Sequence, residues 1–227
     1  SLLEAKSDGG DLRILYSPLE AVNIAKKNPE KEVVFFAVGF ETTAPANALS
    51  VLHAEKEGVT NFSILVSHVL VPPAMEAILD DEFCNIDAFL GAGHVCAIMG
   101  IDEYYPLSKK YDIPIIITGF EPLDLVQAIY MAVCQLEEGV HKVENQYARV
   151  VKEEGNLAAK KVIQQVFEVG NREWRGIGEI PNSGYKIKKA YSAYDAETKF
   201  SIESIKVPES TDCIAGEILR GIKKPKE

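Results

Sequence analysis

The residues best suited to chemistry lie in two similar turns. "VGFETTAP" places Gly39, Phe40, Glu41, Thr42 and Thr43 after an apolar run, and "ITGFEPLD" places Gly119, Phe120 and Glu121 after another, 80 positions from Gly39 to Gly119. An ionisable side chain directly behind a strand that reads as buried is a functional signal, because strand carboxyl ends are where parallel α/β sheets bind ligands. Glycine there lets backbone approach a bound group closely. Two histidines echo the pattern, His68 in "LVSHVLVPP" and His94 in "GAGHVCAIMG". Two carboxylates, two imidazoles and the hydroxyls of Thr42, Thr43 and Ser67 form a set fit for proton transfer. Helix N-termini stabilise anions, so Glu41 and Glu121 are expected ionised at the binding edge. The competing reading is local, with Thr42 or Thr43 capping a helix that Pro45 opens.

The elements that must position these side chains alternate. Apolar runs "EVVFFAV", "FSILVSH", "IDAFLGAGH" and "IPIIITG" read as strands, and "DLRILYS" as a possible further one. Between them lie helical patterns such as "SPLEAVNIAKKNP" and "PLDLVQAIYMAVCQLEEG". Continuous rather than alternating apolar runs suit parallel strands covered on both faces. The alternation predicts an α/β fold with right-handed βαβ crossovers. "NQYARVVKEEGNLAAKKVIQQVFEV" reads as a long amphipathic helix with a break at Gly155, and the stretch from Asn171 as short-stranded or irregular. Boundaries are expected near residues 108 and 172, giving an α/β segment over 1–108, a second over 109–172 and an irregular region over 173–227.

Composition narrows the function. The 227 residues carry a formal net charge of −10, which argues against counterion-releasing nucleic-acid binding. No apolar run has membrane-spanning length, and no signal peptide is visible. Cys84, Cys96, Cys134 and Cys213 are scattered, as expected for reduced cytoplasmic thiols. Cys96 is expected inert and Cys134 in the core. Gly91-x-Gly93 begins a dinucleotide fingerprint that is not completed, and neither a phosphate loop nor a complete metal motif occurs.

The segments "VGFETTAPANA", "SHVLVPPAM", "GAGHVCAIMG", "ITGFEPLDLVQAIYMAV", "ENQYARVVKEEGN" and "CIAGEILRG" together resemble the HypD family of nickel–iron hydrogenase maturation proteins, in that family's order. The resemblance implies two α/β domains flanking a cleft and a C-terminal region with a [4Fe-4S] cluster. It also implies a scaffold where iron acquires cyanide and carbon monoxide as an Fe(CN)2CO unit, working with a small HypC-like chaperone and a HypE-like cyanide donor. It assigns Gly39 to Pro45 to the cleft, with Glu41 and Thr42 nearest the chemistry. Gly93 and His94 match the family's Pro-Gly-His-Val-Ser motif, in which Ala92 and Cys96 here replace Pro and Ser. Gly119 to Pro122 and Asp124 match the second signature, and Cys213 the first cluster cysteine. The family's Cys-Gly-x-His-x-His and Gly-Pro-Gly-Cys-Pro-Val-Cys motifs do not occur in this sequence. Four thiolates hold such a cluster, so the chain is expected to be an inactive middle section, without a bound cofactor. Two rivals remain open: an acid–base enzyme acting on a nucleotide or phosphorylated molecule through Glu41, His94 and Glu121, and a docking module whose turns are caps.

Overall fold

The computed structural model describes residues 2–202 and 212–227. Helix α1 (Leu2–Ser7) leads through coil to α2 (Pro18–Lys27), which Ser17 caps and Pro18 opens. Residues 11–17, expected as a strand, form none. Strands β1 (Val33–Gly39) and β2 (Phe62–His68) pair in parallel across α3 (Ala44–Lys56), with Gly39 opposite His68. Helix α4 (Val71–Leu79) leads to a second parallel sheet, ordered β3 (Phe89–Ala92), β4 (Ile115–Thr118), β5 (Val143–Asn145). Helices α5 (Gly93–Met99), α6 (Tyr104–Tyr111) and α7 (Pro122–Glu138) make its connections. The α/β architecture is therefore present. Residue 108 falls inside α6, and β3, which delivers His94, pairs with β4.

Burial separates the strands. All four residues of β4 are buried, as its continuous apolar run requires. β1 departs from that expectation: Val34, Phe36 and Val38 are 45%, 50% and 58% exposed. β1 lies at the edge of a two-stranded sheet and packs only one face against the core.

The long helix expected from Asn145 is shorter. Residues 146–150 are turns, and α8 (Leu157–Val166) begins only where Asn156 accepts from the Ala159 N–H at 3.0 Å. Gly155 has φ +68°, and a Cβ on it would lie 2.4 Å from the Gly100 nitrogen, so two backbones cross there. The chain then forms an antiparallel hairpin, β6 (Phe167–Trp174) and β7 (Gly178–Ile187), where the stretch from Asn171 was expected to be short-stranded or irregular. The hairpin returns to the first sheet, where Phe167 and Tyr185 join the core of Val51, Phe62 and Ile64. A 3₁₀ turn (Lys189–Tyr194), α9 (Ala196–Lys199) and α10 (Ala215–Leu219) complete the described chain.

Candidate functional site

The end of β1 is tightly built. A Cβ at Gly39 would sit 2.3 Å from Thr43 Oγ1, so the turn excludes a side chain. Thr43 occupies the N-cap of α3 without making the expected capping bond. Its hydroxyl lies 3.1 Å from the Phe40 carbonyl oxygen and 3.1 Å from His68 Nε2. Thr42 is exposed. His68 is fully buried, and its Nε2 accepts from the Asn47 amide at 2.8 Å. That bond assigns the ring proton to Nδ1, a buried atom without a partner among the described residues. Burial, aided by the Arg172 charge, pushes His68 down to about 4 and keeps it neutral. His68 is thus a core acceptor, not a group at the binding edge.

Glu41 overturns its own expectation. It is 2% exposed rather than at a rim. Its Oε1 accepts from the Val71 N–H at 2.8 Å, so it caps α4, whose N-cap Leu70 offers no side-chain acceptor. Its Oε2 is buried without a hydrogen-bond partner among the described residues. Burial raises its pKa from 4.5 to about 7, against the pull of backbone N–H groups and with help from Glu103. Desolvation outweighs the helix terminus, so near neutrality the carboxyl divides between acid and anion rather than staying ionised. A cavity of about 360 Å³ adjoins it, lined among others by Met99, Glu103, Lys160, Phe167 and Tyr185. Cys96 is fully buried, and burial pushes its thiol up to about 11, consistent with an inert side chain.

The second site lies at the ends of β3 and β4. His94 is exposed, its ring centroid 4.6 Å from that of Phe120 and 6.1 Å from that of Tyr147. Gly93 and Gly119 bring the two turns together. A Cβ at Gly93 would lie 2.4 Å from the Thr118 carbonyl oxygen, and one at Gly119 2.2 Å from Asp124 Oδ2. Asp124 is nearly buried, yet Arg149 Nη1 and Nη2 reach its two oxygens at 2.7 Å each and Gln146 Nε2 donates at 3.0 Å. The Arg149 guanidinium, first, and the Gln146 amide pull the Asp124 carboxyl down to about 2. The Glu121 side chain is 77% exposed and only 3.5 Å from Arg149 Nη2.

The two Gly-Phe-Glu turns are therefore unlike: one buries its carboxylate as a helix cap, the other exposes it. No hydrogen bond or ion pair among the described residues joins Glu41, His94 and Glu121 as one acid–base set. Cys213 is half-buried and free, as are Cys84 and Cys134, while Cys96 is free and buried. Among the described residues no group of three or more His, Cys, Asp or Glu side chains could hold a metal ion, so these residues do not fit a four-thiolate cluster. Sequence reasoning missed Asn47, Gln146, Tyr147 and Arg149 as site residues. The last three were hidden in the expected helix, because Tyr147, Val150 and Val151 keep a 3.6-residue period through what are turns.

The family model HypD, described as "Hydrogenase formation hypA family", matches residues 1–227. The chain belongs to the HypD family. Among HypD-family relatives, the hydrogenase maturation factor HypD2 of Bradyrhizobium diazoefficiens is 47% identical over 99% of the chain and 61% of its own length. The hydrogenase maturation factors HypD of Rhodobacter capsulatus and Azotobacter vinelandii are 44% and 45% identical, over 99% and 100% of the chain and 61% and 62% of their lengths. The chain thus spans about three-fifths of the HypD relatives it matches. No described helix is long and apolar enough to cross a membrane.

Proposed function

We propose that this HypD-family chain supplies the strand-end portion of a cytoplasmic scaffold on which the iron of a nickel–iron hydrogenase receives cyanide and carbon monoxide. The scaffold works with a HypC-like chaperone and a HypE-like cyanide donor, and the Fe(CN)2CO unit is its cargo. The family supports the maturation role, and one observation in the fold carries the chemistry: the buried Glu41 carboxyl, near-neutral in pKa and with one oxygen unpartnered among the described residues. A carboxyl poised near the working pH holds or releases a proton with little free-energy cost, as transfer of a ligand between carriers requires. Cyanide bound to iron presents a nitrogen acceptor, and the exposed His94 offers a ring N–H donor at the other strand end. Cys213 is assigned, by family signature alone, to a [4Fe-4S] cluster of the longer protein, and no step runs through it.

The test uses the full-length protein, produced without oxygen together with its HypC-like and HypE-like partners. Its infrared spectrum is expected to carry iron-bound cyanide and carbonyl stretches. Glu41→Gln is expected to fold, because its amide oxygen still accepts from Val71, and to lose most of those bands and the derived hydrogenase activity. Full bands and full activity in that variant refute the role of Glu41.

A further inference from the structure

We infer that Arg149 is a positioning residue, which fixes the exposed His94–Phe120 face through Asp124 and Tyr147. The positioning role stands on geometry alone; that the face serves the iron cargo rests on the maturation reading.

Asp124 needs an explanation first. The buried side of α7 consists of Asp124, Ala128, Ala132 and Gln135, while Leu123, Val126 and Tyr130 are 76%, 65% and 69% exposed. A carboxylate turned inward while apolar side chains face solvent costs stability unless it is fully paired. Arg149 pairs it bidentately at 2.7 Å on both oxygens. An ordinary surface ion pair has no such geometry and contributes little. Asp124 in turn occupies the space over Gly119, where a Cβ would meet its Oδ2 at 2.2 Å. The pair therefore sets the height of the turn that carries Phe120.

Tyr147 is the second arm. The Arg149 guanidinium carbon lies 4.5 Å from the centroid of the Tyr147 ring. That ring covers both glycines: added Cβ atoms at Gly93 and Gly119 would meet it at 2.7 and 2.8 Å. Its edge-on contact with His94, 6.1 Å between centroids at 82°, limits where the imidazole can lie. The Tyr147 and Gln146 N–H groups both donate to the Ile117 carbonyl oxygen, so the loop bearing Arg149 is pinned to β4 itself. One guanidinium thus braces the α7 first turn, the Gly119 turn and the aromatic wall behind His94. Lysine keeps the charge and loses both the fork and the stacking plane.

The experiment compares full-length Arg149→Lys and Asp124→Asn with the parent protein. Histidine-labelled samples report the His94 ring resonances, assigned with His94→Gln, and the same variants are assayed for maturation. The expected result is a native-like fold, displaced His94 resonances, and maturation reduced on the order of tenfold, as misplacement of a site group produces. Asp124→Asn changes the fewest atoms and serves where Arg149→Lys does not fold. Unmoved His94 resonances in a folded variant overturn the inference. Displaced resonances with full maturation uphold the positioning and overturn instead the assignment of this face to the cargo.

Discussion

Glu41 and His68 titrate in opposite directions as the protein folds, and their opposition can be exposed by one substitution. Folding raises Glu41 from 4.5 to about 7, so the native state holds a proton that the unfolded chain has released. That stabilisation is complete below pH 4.5 and is lost as pH rises to 7. Folding lowers His68 from 6.5 to about 4, so the unfolded chain holds the extra proton. Its contribution is complete above pH 6.5 and is lost as pH falls to 4. Each of these displacements corresponds to about 3 kcal/mol. Between pH 4.5 and 6.5 the two slopes, each about 1.4 kcal/mol per pH unit, cancel. Glu41→Gln removes one of them. Urea unfolding at half-unit steps from pH 4.5 to 8 should then show the variant gaining about 3 kcal/mol relative to the parent between pH 4.5 and 7. Other titrating groups are common to both proteins and drop out of the difference. A difference profile that stays flat over that interval refutes the desolvated carboxyl and the proton-holding role built on it.

Three further outcomes are expected. Gly93→Ala forces a Cβ to 2.4 Å from a backbone carbonyl oxygen and should cost about 2 kcal/mol or more, read by thermal or urea unfolding. Asn47→Ala removes the 2.8 Å amide contact to buried His68 Nε2 and leaves that nitrogen only the Thr43 hydroxyl at 3.1 Å, costing about 1 kcal/mol or more by the same measurement. Cys96, fully buried with its thiol pushed up to about 11, should resist alkylation at pH 8 in the folded protein and react only on unfolding, as peptide mass spectrometry will show.

The legibility of each feature in the sequence depends on how local its signal is. The parallel sheets could be read because four apolar runs of strand length alternate with helical patterns, several of them opened by proline, and β4 is as buried as its composition demands. Glycine at 39, 93 and 119 was expected for close approach to a bound group, whereas in the fold an added Cβ would meet the protein's own atoms, at Gly93 those of Thr118 and Tyr147. Glu41 shows where such reading ends. Its position before α3 suggested an exposed, dipole-stabilised anion, but its carboxyl caps α4, which begins 30 residues later. No local pattern encodes that reach; it depends on β1 and β2 lying side by side so that Gly39 faces His68 and the chain turns directly into Val71. Arg149 was hidden for the converse reason. Its neighbours satisfy a helical period by accident, while the Ile117 carbonyl accepts from two successive N–H groups and Asn145 donates to the Val151 carbonyl, which hold the chain in turns with the guanidinium at Asp124. Both decisive residues act across elements, so the chemistry of each strand end depends on a partner that the adjacent sequence does not contain.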